Sequence, residues 1–284
     1  TTREIVQHPE FHMKTMNVNK RNNVRSLGDS GSAILFAHGL GCSQSVWSRI
    51  TPAFAGTHRQ VLFDFVGSGK SQLSAFSAVR YSSLAGYAQD VLDVCEAQGL
   101  QSGVTFVGRS ASCNVGLLAS IARPDLFDRL ILVGPSPCFL NDPPEYAGGF
   151  ERADLQGLMS LMDQNYIGWA NHLSSVVMGG AQGESLSGEL SDSFCSTNPA
   201  AMRVFAQTTF FADNRADLPQ VTRPCLILQH QEDSLVPLAV GEYLNQQLKG
   251  STLEVMDVAG HAAHMSHPAL VIDAMRRYMA EVHA

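Results

Sequence analysis

Charged residues are scarce in this sequence, and those present are biased towards acid. Asp, Glu, Lys and Arg make up 16% of the 284 residues, and the formal net charge is −7. Domains that bind nucleic acid or anionic membranes carry clustered positive charge, which this composition does not provide. We therefore expect neither nucleic acid nor a membrane among the partners.

Paired cysteines and long apolar runs are also missing. The six cysteines are scattered, with no C-x-x-C pair and no spacing typical of a metal site. This pattern predicts free thiols in a reducing compartment and neither a metal nor another cofactor. No apolar run approaches the roughly 20 residues of a membrane span, and no signal-peptide pattern opens the chain. We therefore expect a soluble, cytoplasmic protein.

The apolar residues, 45% of the chain, form strand-length runs that alternate with helical patterns. Continuous runs at residues 33–37, 60–63, 104–107, 130–133, 225–229 and 251–256 predict buried strands. Helices are predicted at 47–54, 81–98 and 273–282, and two antiparallel edge strands at 12–18 and 23–27. This alternation predicts an α/β fold with a mostly parallel central sheet flanked by helices.

The alternation stops after Gly134. From 135 to 217 there are prolines and four helical stretches, at 149–165, 166–178, 188–195 and 198–212, which are rich in large apolar residues. We interpret 135–217 as a helical lid inserted between two core segments, 1–134 and 218–284. Its aromatic side chains either pack helix on helix or line an apolar pocket beneath the lid.

A serine lies at the sharpest predicted turn. The strand at 104–107 is broken by Gly108, and helical spacing begins after Ser110. Strand, tight turn and helix form the context of the nucleophile elbow G-x-S-x-G, which here reads GRSAS because Ser112 replaces the last glycine. Ser110 is the candidate nucleophile. The alternative is a serine that merely caps a helix.

An acid and a base follow in the chain order that such an elbow requires. Asp233 follows the strand at 225–229, with Glu232 as the neighbouring alternative; we favour Asp233 because of its shorter reach and its position at the next helix. His261 follows the last strand and a glycine, and is the candidate base. His264 and His267 are its rivals.

Two backbone N–H groups are expected to form an oxyanion hole. One belongs to Ala111, directly after the nucleophile, and the other to Leu40 in the glycine-rich turn after the first buried strand. A second glycine-rich loop, residues 64–71, resembles a phosphate-binding loop but lacks the spacing G-x-x-x-x-G-K-[ST].

At this point the sequence resembles a known family. The HGLG turn, the loop at 63–71 and the elbow are typical of α/β hydrolases. Longer strings are similar to the bacterial stress-response regulator RsbQ and to the plant strigolactone and karrikin receptors: GCSQSVW, YAQDVLDVCEA, LASIARPDLF, LVGPSPCFLNDPPEYAGGFE, NYIGWA and FCSTNP. The similarity extends over about residues 11–282, including the lid.

The resemblance implies a four-helix lid over a hydrophobic pocket, with Ser110, Asp233 and His261 as the catalytic triad. In that family the pocket binds or slowly hydrolyses a small apolar ligand, and the lid signals to a protein partner. We therefore expect either an esterase-type enzyme for a small apolar ester, enol ether or lactone, or a ligand sensor with a partner at the lid. The residues assigned to ligand contact are Arg109, Phe139, Trp169, Phe205 and Phe210.

Departures from the family pattern surround the nucleophile. Arg109 stands where the family generally has histidine, Ser112 where it often has glycine, and the loop at 260–264 lacks a common proline. A guanidinium within reach of the triad would disfavour the imidazolium formed when Ser110 attacks. Arg109 would otherwise point away or pair with a lid carboxylate.

Overall fold

A seven-stranded sheet forms the centre of the computed structural model, which describes residues 17–179 and 184–281. The strands are β1 (Arg25–Leu27), β2 (Ala33–Ala37), β3 (Arg59–Leu62), β4 (Val104–Arg109), β5 (Phe127–Val133), β6 (Cys225–Glu232) and β7 (Thr252–Ala259). Their order is β1-β3-β2-β4-β5-β6-β7. β1 runs antiparallel to β3, and all the other neighbouring pairs are parallel. The predicted α/β architecture is confirmed.

Helices cover the sheet and account for most of the remaining described chain. The α-helices are α1 (Val18–Arg21), α2 (Leu84–Ala97), α3 (Ala111–Ala122), α4 (Arg152–Gln164), α5 (Tyr166–Val177), α6 (Glu184–Ser196), α7 (Pro199–Phe210), α8 (Leu238–Gln247), α9 (Ala263–Ser266) and α10 (Pro268–Ala280). Short 3-10 helices lie at Gln44–Trp47, Thr51–Phe54, Leu73–Ala75, Arg80–Ser82 and Arg215–Gln220. Among these described helices, none combines the length and apolar character that crossing a bilayer demands.

The central strands are buried on both faces. Every residue of β2 and of β4 is buried, as expected for parallel strands that have helices on each side. The carboxyl ends of β4, β6 and β7 lead into the segments that contain Ser110, Asp233 and His261. The sheet therefore brings the three candidate residues to one edge, although they are far apart in sequence.

Helices α4–α7, here called the lid helices, lie in the chain between β5 and β6. They fall within the predicted insert, whose limits of 135 and 217 stay a prediction. Glu151 and Asp154 form a reciprocal capping box at the start of α4, and the Asn165 side chain caps α5 by accepting from the Gly168 N–H. These local signals separate two helices that directly follow one another.

The amino-terminal prediction was partly wrong. Residues 12–16 of the first predicted edge strand lie outside the described residues, and Val18 begins a helix because the Asn17 side chain accepts from the Lys20 N–H. The second predicted strand, 23–27, is confirmed only over residues 25–27, which form β1. Asn23 has a φ of 45°, which is left-handed backbone and prevents extended pairing there.

Two helix predictions also had inaccurate limits. The helix predicted at 47–54 is a pair of short 3-10 helices, the second of which has Pro52 in its first turn. The last helix begins at Pro268 rather than at Asp273, since proline is favourable in the first turn of a helix.

A buried ion-pair network fastens α1 to α2. The Arg21 guanidinium lies 3.4 Å from the Asp90 carboxylate and 2.8 Å from that of Asp93. Asp90 also accepts from Arg80 at 2.8 Å and from the Tyr81 hydroxyl at 2.9 Å. The Arg21 and Asp90 side chains are only 2% and 0% exposed, so neither charge could be solvated if its partner were removed.

We expect Asp90→Ala to lower the free energy of unfolding by about 3–5 kcal/mol, because it removes the fully buried carboxylate that Arg21, Arg80 and Tyr81 share and leaves Arg21 with Asp93, which is partly exposed. Urea denaturation measures this change. The matched control is Asp125→Ala, which removes the exposed pair with Arg123 and should cost less than about 1 kcal/mol. Equal losses of unfolding free energy in the two variants would contradict the view that the buried network stabilises the fold more than an exposed ion pair does.

Candidate active site

Ser110 occupies a strained turn between β4 and α3. Its φ is 51° and its ψ is −119°, and Asn23 is the other non-glycine residue with positive φ in the described chain. The turn is fixed on both sides, because the Ser110 N–H donates to the Val133 carbonyl at 2.9 Å and the Ser110 carbonyl accepts from the Cys113 N–H at 2.9 Å. Strain of this kind costs about 1–3 kcal/mol and is concentrated at functional positions.

Small neighbours make the turn possible. A Cβ on Gly108 would lie 2.9 Å from the Ser112 carbonyl oxygen, so that position requires glycine. Ser112 fits because its hydroxyl is used: it accepts from the Arg109 N–H at 2.8 Å and lies 2.8 Å from the Ala37 carbonyl. The serine therefore ties the elbow to β2, a role that the sequence pattern did not reveal.

His261 and Asp233 meet the elbow in one hydrogen-bonded line. His261 Nε2 lies 2.8 Å from Ser110 Oγ, and His261 Nδ1 lies 2.8 Å and 3.0 Å from the two Asp233 oxygens. Asp233 Oδ1 also accepts from the N–H groups of Leu235 and Val236, at 2.9 and 3.0 Å. The carboxylate is thus fixed by backbone and orients the imidazole towards the hydroxyl.

The electrostatics suit a base. Burial lowers the pKa of His261, the Asp233 charge and hydrogen bond oppose that change, and the positive charge of Arg109 adds to it. The net pKa lies below the ordinary value, so the imidazole is neutral at neutral pH and free to accept a proton. Burial alone would raise the pKa of Asp233, but the imidazoles of His261 and His230 outweigh it and lower that pKa.

The rival residues are placed elsewhere. The Glu232 side chain is exposed at the end of β6. His264 is completely buried against Trp47, with ring centroids 5.2 Å apart and no hydrogen-bond partner on either nitrogen. His267 contacts the Ser266 hydroxyl at 2.9 Å and precedes α10. The structure therefore brings Asp233 and His261, rather than these three, to Ser110.

Of the two predicted oxyanion donors, Ala111 directly follows the serine, and Leu40 follows Gly39, which packs against Arg109. Ala111 is the first residue of α3, whose leading N–H groups have no acceptor within the helix. Leu40 lies in a tight turn closed by the Cys42 N–H donating to the Gly39 carbonyl at 3.3 Å, and Gly41 supplies the positive φ of 69° that the turn needs. A helix N-terminus and a turn amide that face one bound oxygen can stabilise negative charge on it, and the assignment of Ala111 and Leu40 to that role stays a prediction.

Arg109 is buried behind this turn. Its side chain runs along Gly39, its Nη1 lies 3.2 Å from Cys42 Sγ, and its Nε has no partner. Of the two alternatives for its direction, pairing with a lid carboxylate is not observed among the described residues. The guanidinium remains close enough to lower the pKa values of His261 and His264, after the larger effect of burial.

The aromatic residues assigned to ligand contact are packed tightly in this conformation. Trp169 is fully buried between Tyr166 and Phe194, with ring centroids 5.6 Å from each. Phe205 stacks on Tyr87 of α2 at 4.3 Å, and Phe139 meets Phe210 edge to face at 5.5 Å. Contact of Arg109, Phe139, Trp169, Phe205 and Phe210 with a ligand stays a prediction.

The lid helices are bonded to the loops of the site. The His261 N–H donates to the Val177 carbonyl of α5 at 2.6 Å, and the Ser234 hydroxyl donates to the Val176 carbonyl at 2.6 Å. In α6, the Ser193 hydroxyl donates to the Gly41 carbonyl at 2.9 Å. The loops that contain His261 and Asp233, and the turn that contains Leu40 (called the oxyanion turn below after its predicted role), are therefore each hydrogen-bonded to the lid helices.

His230 is a residue that sequence reasoning missed. Its Nδ1 lies 3.0 Å from Asp233 Oδ2, and its side chain is completely buried. The ligand-type atoms of His230, Asp233 and His261 lie within 4.8 Å of one another, and their mutual hydrogen bonds account for this closeness. The signal in the sequence was a histidine three residues before the predicted acid.

The fold and the site together define an α/β hydrolase. The sequence model of the alpha/beta hydrolase family matches residues 34–274, and the chain belongs to that family.

Among characterised relatives, it is 39% identical to a karrikin insensitive 2 receptor from Petunia hybrida, over 92% of this chain and 97% of that protein. It is 35% identical to a strigolactone esterase from Arabidopsis thaliana, over 93% of this chain and 98% of that protein. A solved structure, a hydrolase from Oleispira antarctica, superposes with a TM-score of 0.91 at 42% identity and covers 94% of this chain and 97% of its own.

We expect Gly179→Ala to slow the reaction of Ser110 with a fluorophosphonate, a probe of activated serines, by roughly 10- to 100-fold. Gly179 has a φ of 73°, and a Cβ there would lie 2.7 Å from the Gly260 nitrogen, so the loop that carries His261 must shift. The matched control is Gly157→Ala in α4, where a Cβ meets nothing within 4 Å. A variant at 179 that reacts as fast as the wild type would show that the loop tolerates the shift.

Proposed function

We propose that this protein is a serine hydrolase that binds and slowly hydrolyses a small apolar ester, enol ether or butenolide-type lactone. The observation that carries the proposal is the short contact of His261 Nε2 with Ser110 Oγ, 2.8 Å long, in line with the bond from Nδ1 to Asp233. A serine hydroxyl is a weak nucleophile until an oriented base removes its proton.

In the proposed mechanism Ser110 Oγ attacks the carbonyl carbon while its proton moves to His261 Nε2. The carbonyl oxygen becomes an oxyanion and accepts hydrogen bonds from the N–H groups of Leu40 and Ala111. Collapse of this intermediate breaks the bond to the leaving-group oxygen, which takes the proton from His261. Water, deprotonated by the same imidazole, then releases the acyl group and restores Ser110.

The family relatives support the substrate class. The similar proteins include a strigolactone esterase and a probable esterase from Oryza sativa. The lid side chains Phe194 and Met202 lie against Gly41, in the turn beside Leu40, and such apolar surroundings favour a small apolar ligand over a charged or polymeric one. We also propose that the protein acts in the cytoplasm.

A second function, ligand sensing, is favoured by the bonds between the lid and the catalytic loops. A covalent or bound ligand at Ser110 that moves the His261 loop would disturb the hydrogen bond to Val177 in α5. The lid would then present a changed surface to a signalling protein partner. Receptors for karrikin among the relatives support this alternative.

Labelling by a fluorophosphonate tests the covalent mechanism shared by both functions. We expect the wild type to gain one adduct at Ser110 and Ser110→Ala to gain none, as read by intact and peptide mass spectrometry. Ser120→Ala, which changes a buried serine further along α3, should label like the wild type. A wild-type spectrum without an adduct would exclude the covalent mechanism.

Turnover separates the enzyme from the sensor. Multiple-turnover rates would be measured on p-nitrophenyl acetate and on a butenolide ester. Rates above about 1 s⁻¹ lie in the usual range of enzymes and would argue against a pure sensor. A single acylation followed by little release would favour sensing.

We expect Arg109→His to speed acylation by about two- to tenfold at neutral pH, up to ~1.4 kcal/mol of barrier. The guanidinium disfavours the imidazolium that forms on His261 during attack. Stopped-flow acylation with p-nitrophenyl acetate measures the change. A slower variant would mean that the charge stabilises the oxyanion more than it opposes the imidazolium. An unchanged rate would contradict the prediction, because the two effects would then be equal or absent.

A further inference from the structure

We propose that His230 is a positioning residue: it donates a second imidazole hydrogen bond to Asp233 and thereby limits the basicity of His261. This inference rests on the proposed hydrolase function, in which Asp233 orients the base. It concerns a residue that lies beside the triad and whose hydrogen bond goes to Asp233 rather than to the nucleophile.

The geometry places two imidazoles on one carboxylate. His230 Nδ1 lies 3.0 Å from Asp233 Oδ2, the oxygen that also lies 2.8 Å from His261 Nδ1. The two rings are edge to face, with centroids 6.2 Å apart and an angle of 74° between their planes. Gly134, at the end of β5, makes room for both, because a Cβ there would lie 3.0 Å from the ring of His261 and 3.4 Å from that of His230.

The bond fixes the tautomer of His230. An ionised carboxylate only accepts, so Nδ1 carries the hydrogen that points to Asp233. The other nitrogen, Nε2, is buried without a partner, and the side chain has no exposed surface. Burying an unpaired nitrogen costs free energy, and an apolar side chain would avoid that cost. The contact with Asp233 is therefore the interaction that accounts for a histidine at this position.

The second donor weakens the carboxylate as a partner for His261. Asp233 already accepts hydrogen bonds from two backbone N–H groups. The N–H of His230 is a third donor and further stabilises the negative charge of the carboxylate. A carboxylate that is better satisfied by other donors attracts the His261 imidazolium less strongly. The base then stays neutral, and so able to accept a proton, at lower pH.

Other ionisable groups also face His261, and they set the background for this effect. Arg109 approaches from β4 and His264 from α9, while Asp233 and His230 lie at the end of β6. The pKa of His261 is lowered most by burial, and further by Arg109 and His230. It is raised by Asp233. Removing the His230 donor frees Asp233 and takes away one of the lowering groups, so both effects raise the pKa of His261.

The test is the acid limb of the pH profile for fluorophosphonate labelling. We expect His230→Leu to raise the apparent pKa of this acid limb, which reports the protonation of His261, by at least about half a unit. His230→Asn keeps an N–H near the position of Nδ1 and should return the apparent pKa to within about 0.2 units of the wild type. A purely structural loss would lower the rate at all pH values or move the apparent pKa down, because His261 would lose its carboxylate. An unchanged or lowered apparent pKa in His230→Leu overturns the proposal.

A spectroscopic measurement keeps the test independent of turnover and of the variants' folding. Histidines labelled with ¹⁵N are observed in Ser110→Ala, which retains every residue around Asp233. We expect His230 as the Nδ1–H tautomer, with a downfield proton distinct from that of His261. An Nε2–H tautomer would overturn the proposal.

Failure of the proposed function can be distinguished from failure of this inference. If the wild type does not label with the fluorophosphonate, the proposed function fails. The titration of His261 in the same spectrum, with and without His230→Leu, still decides the role of His230.

Discussion

The positive φ of Ser110 is the constraint on which the site depends. Such a backbone is unfavourable for a serine, so the surroundings must hold it in place. The sheet does this from one side through the Val133 carbonyl, and the first turn of α3 does it from the other through Cys113. Gly108 gives the turn space, and the Ser112 hydroxyl joins it to β2. The elbow is thus part of the buried core, and the Ser110 hydroxyl reaches His261 from it.

The same edge of the sheet explains why acid and base arrive at the serine. Parallel strands place their carboxyl ends together, and β6 and β7 stay paired as far as Glu232 and Ala259, just before Asp233 and His261. The lid completes the arrangement, because α5 accepts the backbone N–H of His261 and α6 donates to the oxyanion turn. A lid that is bonded to the catalytic loops cannot open widely without affecting the alignment of the base.

Much of this could be predicted from sequence, because the signals are local or depend on order. Buried strands appear as apolar runs, and the family strings made the four-helix insert and its relatives recognisable; the fold and the family are confirmed. The helix at Val18 was missed because its determinant is one asparagine cap in a stretch that also alternates like a strand. The roles of Ser112 and His230 could not be predicted, since each depends on which carbonyl or carboxylate the fold brings within 3 Å.

The direction of the Arg109 side chain could not be predicted either, because it too depends on which groups the fold brings close. Its position has a consequence for the rate of the proposed reaction. An isolated buried cation is costly, and this one lies behind the oxyanion turn with a thiol as its hydrogen-bond partner. In the proposed mechanism it acts against the imidazolium and in favour of the oxyanion, so its net effect depends on which charge develops closer to it. His230 acts on the imidazolium, both through Asp233 and directly. Under these proposals Arg109 and His230 both weaken the base, and a weak base is consistent with the proposed slow turnover. If release of the acyl group is the slower step, the covalent state is prolonged, which is what a sensor that signals through its lid requires.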